Sequence, residues 1–90
     1  MNSRQRFWTQ LRALGFATYA DYLASPHWAD LRQRYFASKL YKGRCFSCRE
    51  TKAIELHHRT YARLGREYLG DMVALCHACH QKVHDREKAA

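Results

Sequence analysis

The sequence contains no long apolar run. No segment approaches the roughly 20 consecutive apolar residues that a membrane-spanning helix requires. The secretory pattern of a charged start, a short apolar stretch and a small-residue cleavage site is also missing, since residues 1–8 are predominantly polar. These two absences argue against a membrane or secreted protein and predict a cytoplasmic one, in a compartment where disulfides rarely persist.

Internal repeats, low-complexity tracts and long linkers are absent too. At 90 residues the chain has room for one small core, so we expect a single domain spanning residues 1–90. Chains of this size often need a metal, a disulfide or a partner to supplement apolar burial.

Acidic residues are scarce. Eight Asp and Glu face sixteen Lys and Arg, which leaves a formal charge of +8. The excess of positive charge is concentrated between positions 39 and 66, where only Glu50 and Glu55 are acidic. The basic residues of this segment are Lys39, Lys42, Arg44, Arg49, Lys52, Arg59, Arg63 and Arg66. Such a patch favours nucleic acid as a partner, and the alternative is a merely solvated basic surface.

The first part of the chain, residues 4–40, is predicted to be helical. Apolar and aromatic residues recur there at three- and four-residue steps, and Gly15 stands where a first helix would stop. Ser25 followed by Pro26 is typical of a helix N-cap and first turn. We interpret the aromatic stripe as core packing. Its members are Phe7, Trp8, Leu11, Leu14, Trp28, Leu31, Tyr35, Phe36 and Leu40.

The second part of the chain has a different pattern. Residues 53–57 alternate as a short strand does, residues 59–70 suggest an irregular loop, and residues 72–75 fit a second strand that closes a hairpin. Residues 76–88 fit a final helix. Helices followed by a hairpin and a helix predict a small α+β fold.

Four cysteines occur in two tight pairs, Cys45-x-x-Cys48 and Cys76-x-x-Cys79. Each pair can grip one metal from a tight turn, and four thiolates in tetrahedral geometry suit a structural Zn²⁺. Two disulfides are the rival interpretation, which a cytoplasmic location disfavours. A redox CxxC motif would need a βαβ setting that neither pair has.

Six histidines are present, and five of them lie between positions 57 and 84. His80 and His84 project from one face of the final helix, as two ligands of one metal would, while Cys79 points well away from them. His57 and His58 end a strand and must point to opposite faces. One of them can join the metal and the other can handle a proton.

A metal held by three imidazoles keeps open coordination positions that water or phosphate can fill. This arrangement is typical of a catalytic site. By ligand softness the imidazoles favour Zn²⁺, Ni²⁺, Co²⁺ or Mn²⁺ over Mg²⁺. The alternative is a set of surface or hydrogen-bonding histidines. His27 and His77 fit no site that the sequence suggests.

Together these residues form a known pattern: Cys45-x-x-Cys48, then Leu56-His57-His58, then residues 71–75 and Cys76-x-x-Cys79-His80, and finally His84. Over residues 41–84 it resembles the zinc-bearing HNH endonucleases of bacteria and their phages. The resemblance implies a ββα-metal core with zinc knuckles over residues 41–88, on which a helical N-terminal extension, residues 1–40, packs.

The resemblance also implies an activity, which is metal-dependent hydrolysis of DNA phosphodiester bonds, with nicking expected from one small domain. His58 would be the general base that activates water, held by a backbone carbonyl. His57, His80 and His84 would bind the catalytic metal, which is Mg²⁺, Mn²⁺, Ni²⁺ or Zn²⁺. Asp71 stands where many members carry the Asn that holds the loop orienting the base. The candidate phosphate contacts are Arg59, Arg63, Arg66 and Lys82.

Two other functions stay open at this stage. One is a non-catalytic zinc module that binds nucleic acid through the basic patch. The other is a protein-interaction adaptor whose Trp and Tyr residues form a docking face. A protein partner in a phage packaging or defence complex would fit the nuclease, although no residue identifies one.

Overall fold

The computed structural model describes residues 2–89, with side chains as far as residue 86. Three helices come first, α1 (Ser3–Ala13), α2 (Tyr19–Leu23) and α3 (Pro26–Ala37). A hairpin of β1 (Ile54–His58) and β2 (Met72–Cys76) follows, and β2 leads directly into α4 (His77–Ala89). The predicted α+β fold is confirmed. No helix within the described residues is long and apolar enough to cross a bilayer.

Side-chain caps set the starts of the N-terminal helices. Asn2 and Gln5 form a reciprocal capping box at α1, and the Thr18 hydroxyl accepts the backbone N–H of Asp21 at α2. Ser25 caps α3 by accepting the N–H of Trp28, with proline in the first turn as predicted. Each cap satisfies a backbone donor that has no partner within the helix.

One apolar core joins the N-terminal helices to the hairpin. Leu11, Tyr22 and Leu31 are fully buried, and they belong to the same cluster as Leu56 and Met72 of the two strands. Core packing is therefore the correct interpretation for most of the aromatic stripe. The two parts of the chain share this core, so the extension helps to shape whatever lies beside the hairpin.

Three members of the predicted stripe are not in the core. Trp8 is 40% exposed, Leu14 is exposed beyond the end of α1, and Leu40 is 50% exposed. α3 ends at Ala37, so the helical spacing that placed Leu40 on its buried face does not extend that far. The prediction was wrong for these residues because periodicity identifies a face without showing where its packing stops.

The hairpin is antiparallel, with His57 opposite Val73 and His58 opposite Met72. Strand β1 extends one residue beyond the predicted 53–57 range, and β2 includes Cys76, which the sequence had placed in the helix. The loop between the strands contains a single 3₁₀ turn, Leu69–Asp71, that was not predicted. This register places the two histidines of β1 beside the start of β2.

Candidate metal centres and a buried histidine

The four cysteine sulfurs converge. All Sγ atoms lie within 4.8 Å of one another, and those of Cys48 and Cys76 are 3.6 Å apart. Four sulfurs about 2.3 Å from a tetrahedral zinc would be separated by about 3.8 Å, so the cluster has the size of a zinc site. No disulfide links these residues. The predicted set of four can hold a metal such as zinc.

Backbone donors support this sulfur cluster. The N–H groups of Ser47 and Cys48 both lie 3.4 Å from the Sγ of Cys45, and the N–H of Cys79 lies 3.5 Å from the Sγ of Cys76. Burial acts to raise the pKa of the Cys45 thiol, but backbone N–H donors outweigh it and bring that pKa to about 6. Cys45 therefore favours the thiolate form that binds zinc, whereas the pKa values of Cys48 and Cys79 are raised.

The three predicted imidazole ligands also converge. The candidate nitrogen atoms of His57, His80 and His84 lie within 4.8 Å of one another. The Nε2 atoms of His80 and His84 are 2.9 Å apart, so both rings point at one position. Burial, with the charges of the neighbouring histidines, lowers the pKa of His57 to about 4, which keeps its ring neutral at pH 7. Neutral imidazoles in this arrangement can bind a divalent cation.

Glu55 supports the imidazole cluster, and sequence reasoning missed it. Its carboxylate lies 2.8 Å from the Nδ1 of His80 and 3.0 Å from the Nδ1 of His77. Because a carboxylate can only accept, the Nδ1 of His80 carries the proton and its Nε2 presents a lone pair to the position that it shares with the Nε2 of His84. The available signal was position, since Glu55 stands two residues before His57 on the same strand face.

His58 lies in a different environment from its neighbour. Its side chain is buried, with the residue only 2% exposed, and its ring stacks on Trp28 at a centroid distance of 4.7 Å. Its Nε2 lies 2.8 Å from a carboxylate oxygen of Glu67, and its Nδ1 lies 2.9 Å from the hydroxyl of Tyr19. The expected backbone carbonyl is not the partner of either nitrogen. The family-based expectation for how this ring is held is corrected here, because a carboxylate and a phenol hold it.

Glu67 is the second residue that sequence reasoning missed. Its buried carboxylate accepts hydrogen bonds from His58, from the Nε2 of His27 at 3.0 Å, from the N–H of Gly65 at 2.9 Å and from the hydroxyl of Tyr22. Burial acts to raise the pKa of Glu67, but the bonds from His58, His27 and Tyr22 prevail and lower it to about 2. In the loop sequence nothing distinguished Glu67 from a solvated acid.

The fixed charge of Glu67 determines which nitrogen of His58 is basic. A carboxylate cannot donate, so in the neutral ring Nε2 carries the hydrogen and Nδ1 presents its lone pair to the hydroxyl of Tyr19. Burial raises the pKa of Tyr19 well above its ordinary value, so its hydroxyl keeps its proton and donates. His27, which fitted no site suggested by the sequence, is one of the side chains that hold the Glu67 carboxylate.

A cleft of about 270 Å³ connects the two environments. Residues from both faces of β1 line it, so it follows the edge of β1 that has no strand partner within the described residues. Its lining includes His57, His58, His80, His84, Tyr19 and Arg32. All four histidines that the sequence grouped therefore border one space, although His58 approaches it from the opposite strand face.

Asp71 has a structural task outside this cleft. Its buried carboxylate accepts the N–H of Tyr68 at 3.0 Å and the Nε of Arg63 at 2.8 Å, with a second bond from the same guanidinium. Its backbone carbonyl accepts the N–H of Arg59 at 2.7 Å. Asp71 therefore holds the 59–70 loop, as the family's Asn is expected to do. It does not line the cleft, so the structure supports this loop-holding role, and its part in catalysis stays a prediction.

The four predicted phosphate contacts differ in availability. The guanidinium of Arg63 is bound to Asp71 and lies 4.4 Å over the ring of Tyr68, so its prediction as a phosphate contact is not supported by its position. Arg59, Arg66 and Lys82 are exposed, but none of them lines the cleft. Arg32 of α3 does line it, and it makes no hydrogen bond or ion pair with the described residues.

These observations define a small α+β protein with two clusters that can hold metals and a cleft beside the second. Comparison of the chain with protein-family models, curated protein sequences and solved structures found no match. The resemblance to HNH endonucleases therefore stays a prediction from the motif residues.

Proposed function

We propose that this protein is a metal-dependent endonuclease of HNH type that hydrolyses phosphodiester bonds in DNA. The observation that carries the proposal is the convergence of three imidazoles on one position, in a cleft that a fourth histidine also lines. A purely structural metal site would be closed by a fourth protein ligand. This one has three candidate ligands and opens to the cleft, which suits a site that binds phosphate.

The donor chemistry of the cleft fits a divalent cation. Glu55 orients His80, and the Nε2 atoms of His80 and His84 face the same position. A cation bound there, Mg²⁺, Mn²⁺, Ni²⁺ or Zn²⁺, would supply Lewis-acid polarisation of a phosphate oxygen and stabilise the departing 3′ oxygen. The zinc of the cysteine cluster, in contrast, would serve only the fold.

His58 is the proposed general base. Glu67 holds its Nε2–H, so the lone pair on Nδ1 is the site that takes a proton from the attacking water. The hydroxyl of Tyr19 occupies that nitrogen and lines the cleft. Since a hydroxyl can accept from water while it donates to Nδ1, Tyr19 can pass the proton without becoming a phenolate.

Basic residues are proposed to bind the DNA. The net charge of +8 favours a polyanion, and Arg32 projects into the cleft with no competing acidic partner among the described residues. A guanidinium suits a phosphate because it can donate two parallel hydrogen bonds. Arg59, Arg66 and Lys82 would extend the contact beyond the cleft. With one imidazole cluster among the described residues, nicking of one strand is the expected outcome.

A plasmid-cleavage assay tests this proposal. Supercoiled DNA is incubated with the zinc-loaded protein and Mg²⁺, Mn²⁺ or Ni²⁺, in parallel with His80→Ala and His58→Gln. His77→Ala on the same helix is the matched control, because it keeps the three converging imidazoles. We expect nicking by wild type and by the control only. Wild type that binds DNA but leaves it intact with every metal would end the enzyme proposal.

One observation favours a second candidate, a non-catalytic zinc module that binds nucleic acid. Both ring nitrogens of His58 already have protein partners and the residue is buried, as expected for a histidine that only supports the fold. The same assay separates the two functions. Tight binding without turnover, unaffected by removing the imidazole cluster, would favour the module.

A further inference from the structure

Phe46 is the most exposed large apolar side chain among the described residues. It is 76% exposed and stands between Cys45 and Cys48 of the first cysteine pair. The backbone fixes this outward position, because the N–H of Phe46 donates to the carbonyl of Ala74 at 2.9 Å. This bond holds the turn of the first cysteine pair against β2. Burial of such a ring is favourable, so a ligand that covered it would gain from the contact.

The surroundings of Phe46 are basic as well as aromatic. A cavity of about 180 Å³ lies beside it, lined also by Tyr41, Lys42, Arg44 and Arg49. No acidic residue lines this cavity. The side chains of Arg44 and Arg49 make no hydrogen bond or ion pair with the described residues. Their guanidinium groups are thus available to an anion.

The turn holds these groups in fixed relation to one another. The N–H of Cys45 donates to the carbonyl of Glu50 at 2.7 Å, and the N–H of Arg49 donates to the carbonyl of Cys45 at 3.0 Å. Arg49 adopts a left-handed backbone with φ of 69°, which a non-glycine residue rarely does. An aromatic face and two guanidinium groups are therefore presented on one tight turn beside the cysteine cluster.

This surface is separate from the cleft. The cavity beside Phe46 borders Ala74 of β2, whereas the cleft follows the free edge of β1, and no residue lines both. A ligand at Phe46 would therefore not compete for the imidazole cluster.

The combination of chemistry points to one class of ligand. A protein partner that matched this patch would have to supply acidic groups and an apolar surface, whereas a nucleic-acid strand carries a stacking face and a phosphate on every nucleotide. Bases in a duplex are already stacked on each other, so only an unpaired base can lie on an exposed aromatic ring. Guanidinium groups next to the ring then reach the adjoining phosphates.

We propose that the turn carrying Phe46 binds single-stranded nucleic acid, with an unpaired base stacked on Phe46 and the adjacent phosphates held by Arg44 and Arg49. The inference does not require catalysis, because it concerns a surface outside the cleft. It would add a preference for unpaired strands to a protein whose net charge attracts any polyanion.

Fluorescence anisotropy tests the proposal without metal added beyond the bound zinc. The probes are a labelled oligothymidylate and a duplex of the same length. We expect Phe46→Ala to weaken binding of the oligothymidylate by roughly 5- to 150-fold, the range for losing one stacking contact, with duplex binding unchanged. Trp8→Ala, which removes another exposed aromatic ring, on α1, is the matched control and should bind both probes as wild type does.

A second variant protects the test from a folding artefact. Phe46→Trp keeps the stacking face, so it should retain binding, and its added fluorescence should be quenched by the oligothymidylate. Equal loss of duplex and single-strand binding in Phe46→Ala, or wild-type affinity for the oligothymidylate, would overturn the proposal. So would a wild-type dimer that Phe46→Ala dissociates, since the ring would then be covered by a second copy. Plasmid nicking is scored separately, so either proposal can fail alone.

Discussion

The cysteine cluster and the imidazole cluster lie on the same hairpin and helix. They differ in the number and type of their candidate ligands, in their exposure and in the groups that support them. The first has four thiol groups, three of them buried, and its support comes from backbone N–H groups nearby in the chain. The second has three imidazoles beside a cleft, and its support comes from the Glu55 carboxylate of a strand 25 residues away from His80. A closed site suits a scaffold, and an open one suits chemistry.

Adjacent residues turn to different environments at two places. Cys79 and His80 are neighbours at the start of α4 and turn to different clusters, because consecutive side chains differ by about 100° around a helix. His57 and His58 are neighbours on β1 and differ by strand alternation. One residue of register therefore decides that His57 turns to the imidazole cluster and His58 to Glu67.

The largest expected effect comes from Cys76→Ser, which removes one of the four thiolates. We expect zinc to be lost and the domain to unfold or loosen, because zinc binding to such sites contributes about 10–16 kcal/mol of apparent folding free energy in small finger peptides. Zinc stoichiometry and the thermal transition followed by circular dichroism measure this. A variant that keeps one zinc per chain and the wild-type melting temperature would show that the cysteine cluster is not the scaffold.

His80→Ala should affect only the imidazole cluster. We expect the zinc of the cysteine cluster and the melting temperature to be nearly retained, while affinity for the second metal falls by more than the 10- to 100-fold typical of losing an outer hydrogen-bond partner. Cutting of plasmid DNA should disappear. Titration of Mn²⁺ or Ni²⁺ by calorimetry checks the affinity, and unchanged binding would mean that these rings are not ligands.

His58→Gln separates chemistry from metal binding. We expect both metal stoichiometries to be kept and nicking to fall by about 10²- to 10⁴-fold, the usual contribution of a positioned base. The fold should also weaken, because the ring that stacks on Trp28 is lost, although the amide can still donate to Glu67. Single-turnover cleavage and urea unfolding are the measurements. A variant that cuts as fast as wild type would remove His58 from the mechanism.

The smallest effect should follow from Glu55→Gln, which keeps the shape of the side chain and removes its charge. We expect affinity for the second metal to fall by about 10- to 100-fold, because the amide orients and polarises His80 less well. The zinc of the cysteine cluster should stay. If the zinc content changed instead, the two clusters would not be the independent sites that the comparison describes.

Much of the local structure could be predicted. The N-cap at Ser25 with Pro26 after it, the stop near Gly15, the two strands and the final helix all follow from backbone chemistry within a few residues. The convergence of the two ligand sets was also predicted, because ligand spacing on turns, strands and helices is a local property. The errors at Leu14 and Leu40 arose where a helical period continued past the end of its helix.

Partners distant in the chain could not be predicted. The carboxylate that holds His58 is nine residues away in a loop with no regular pattern, and the hydroxyl on its other nitrogen is 39 residues away on α2. The pairing of Arg63 with Asp71 likewise could not be foreseen from the loop sequence, and its predicted phosphate contact stays a prediction. An irregular loop has no periodicity in its sequence that would show which of its charged side chains form ion pairs.

The amino-acid sequence alone determined the ligand types, their division into two sets and the order of helices and strands, because these depend on side-chain chemistry and backbone geometry over short distances. Only the tertiary structure decided that Glu67 and Tyr19 hold His58, that Arg32 reaches the cleft and that Phe46 points outward. Those outcomes depend on how the N-terminal helices pack on the hairpin, and packing is a property of the whole core.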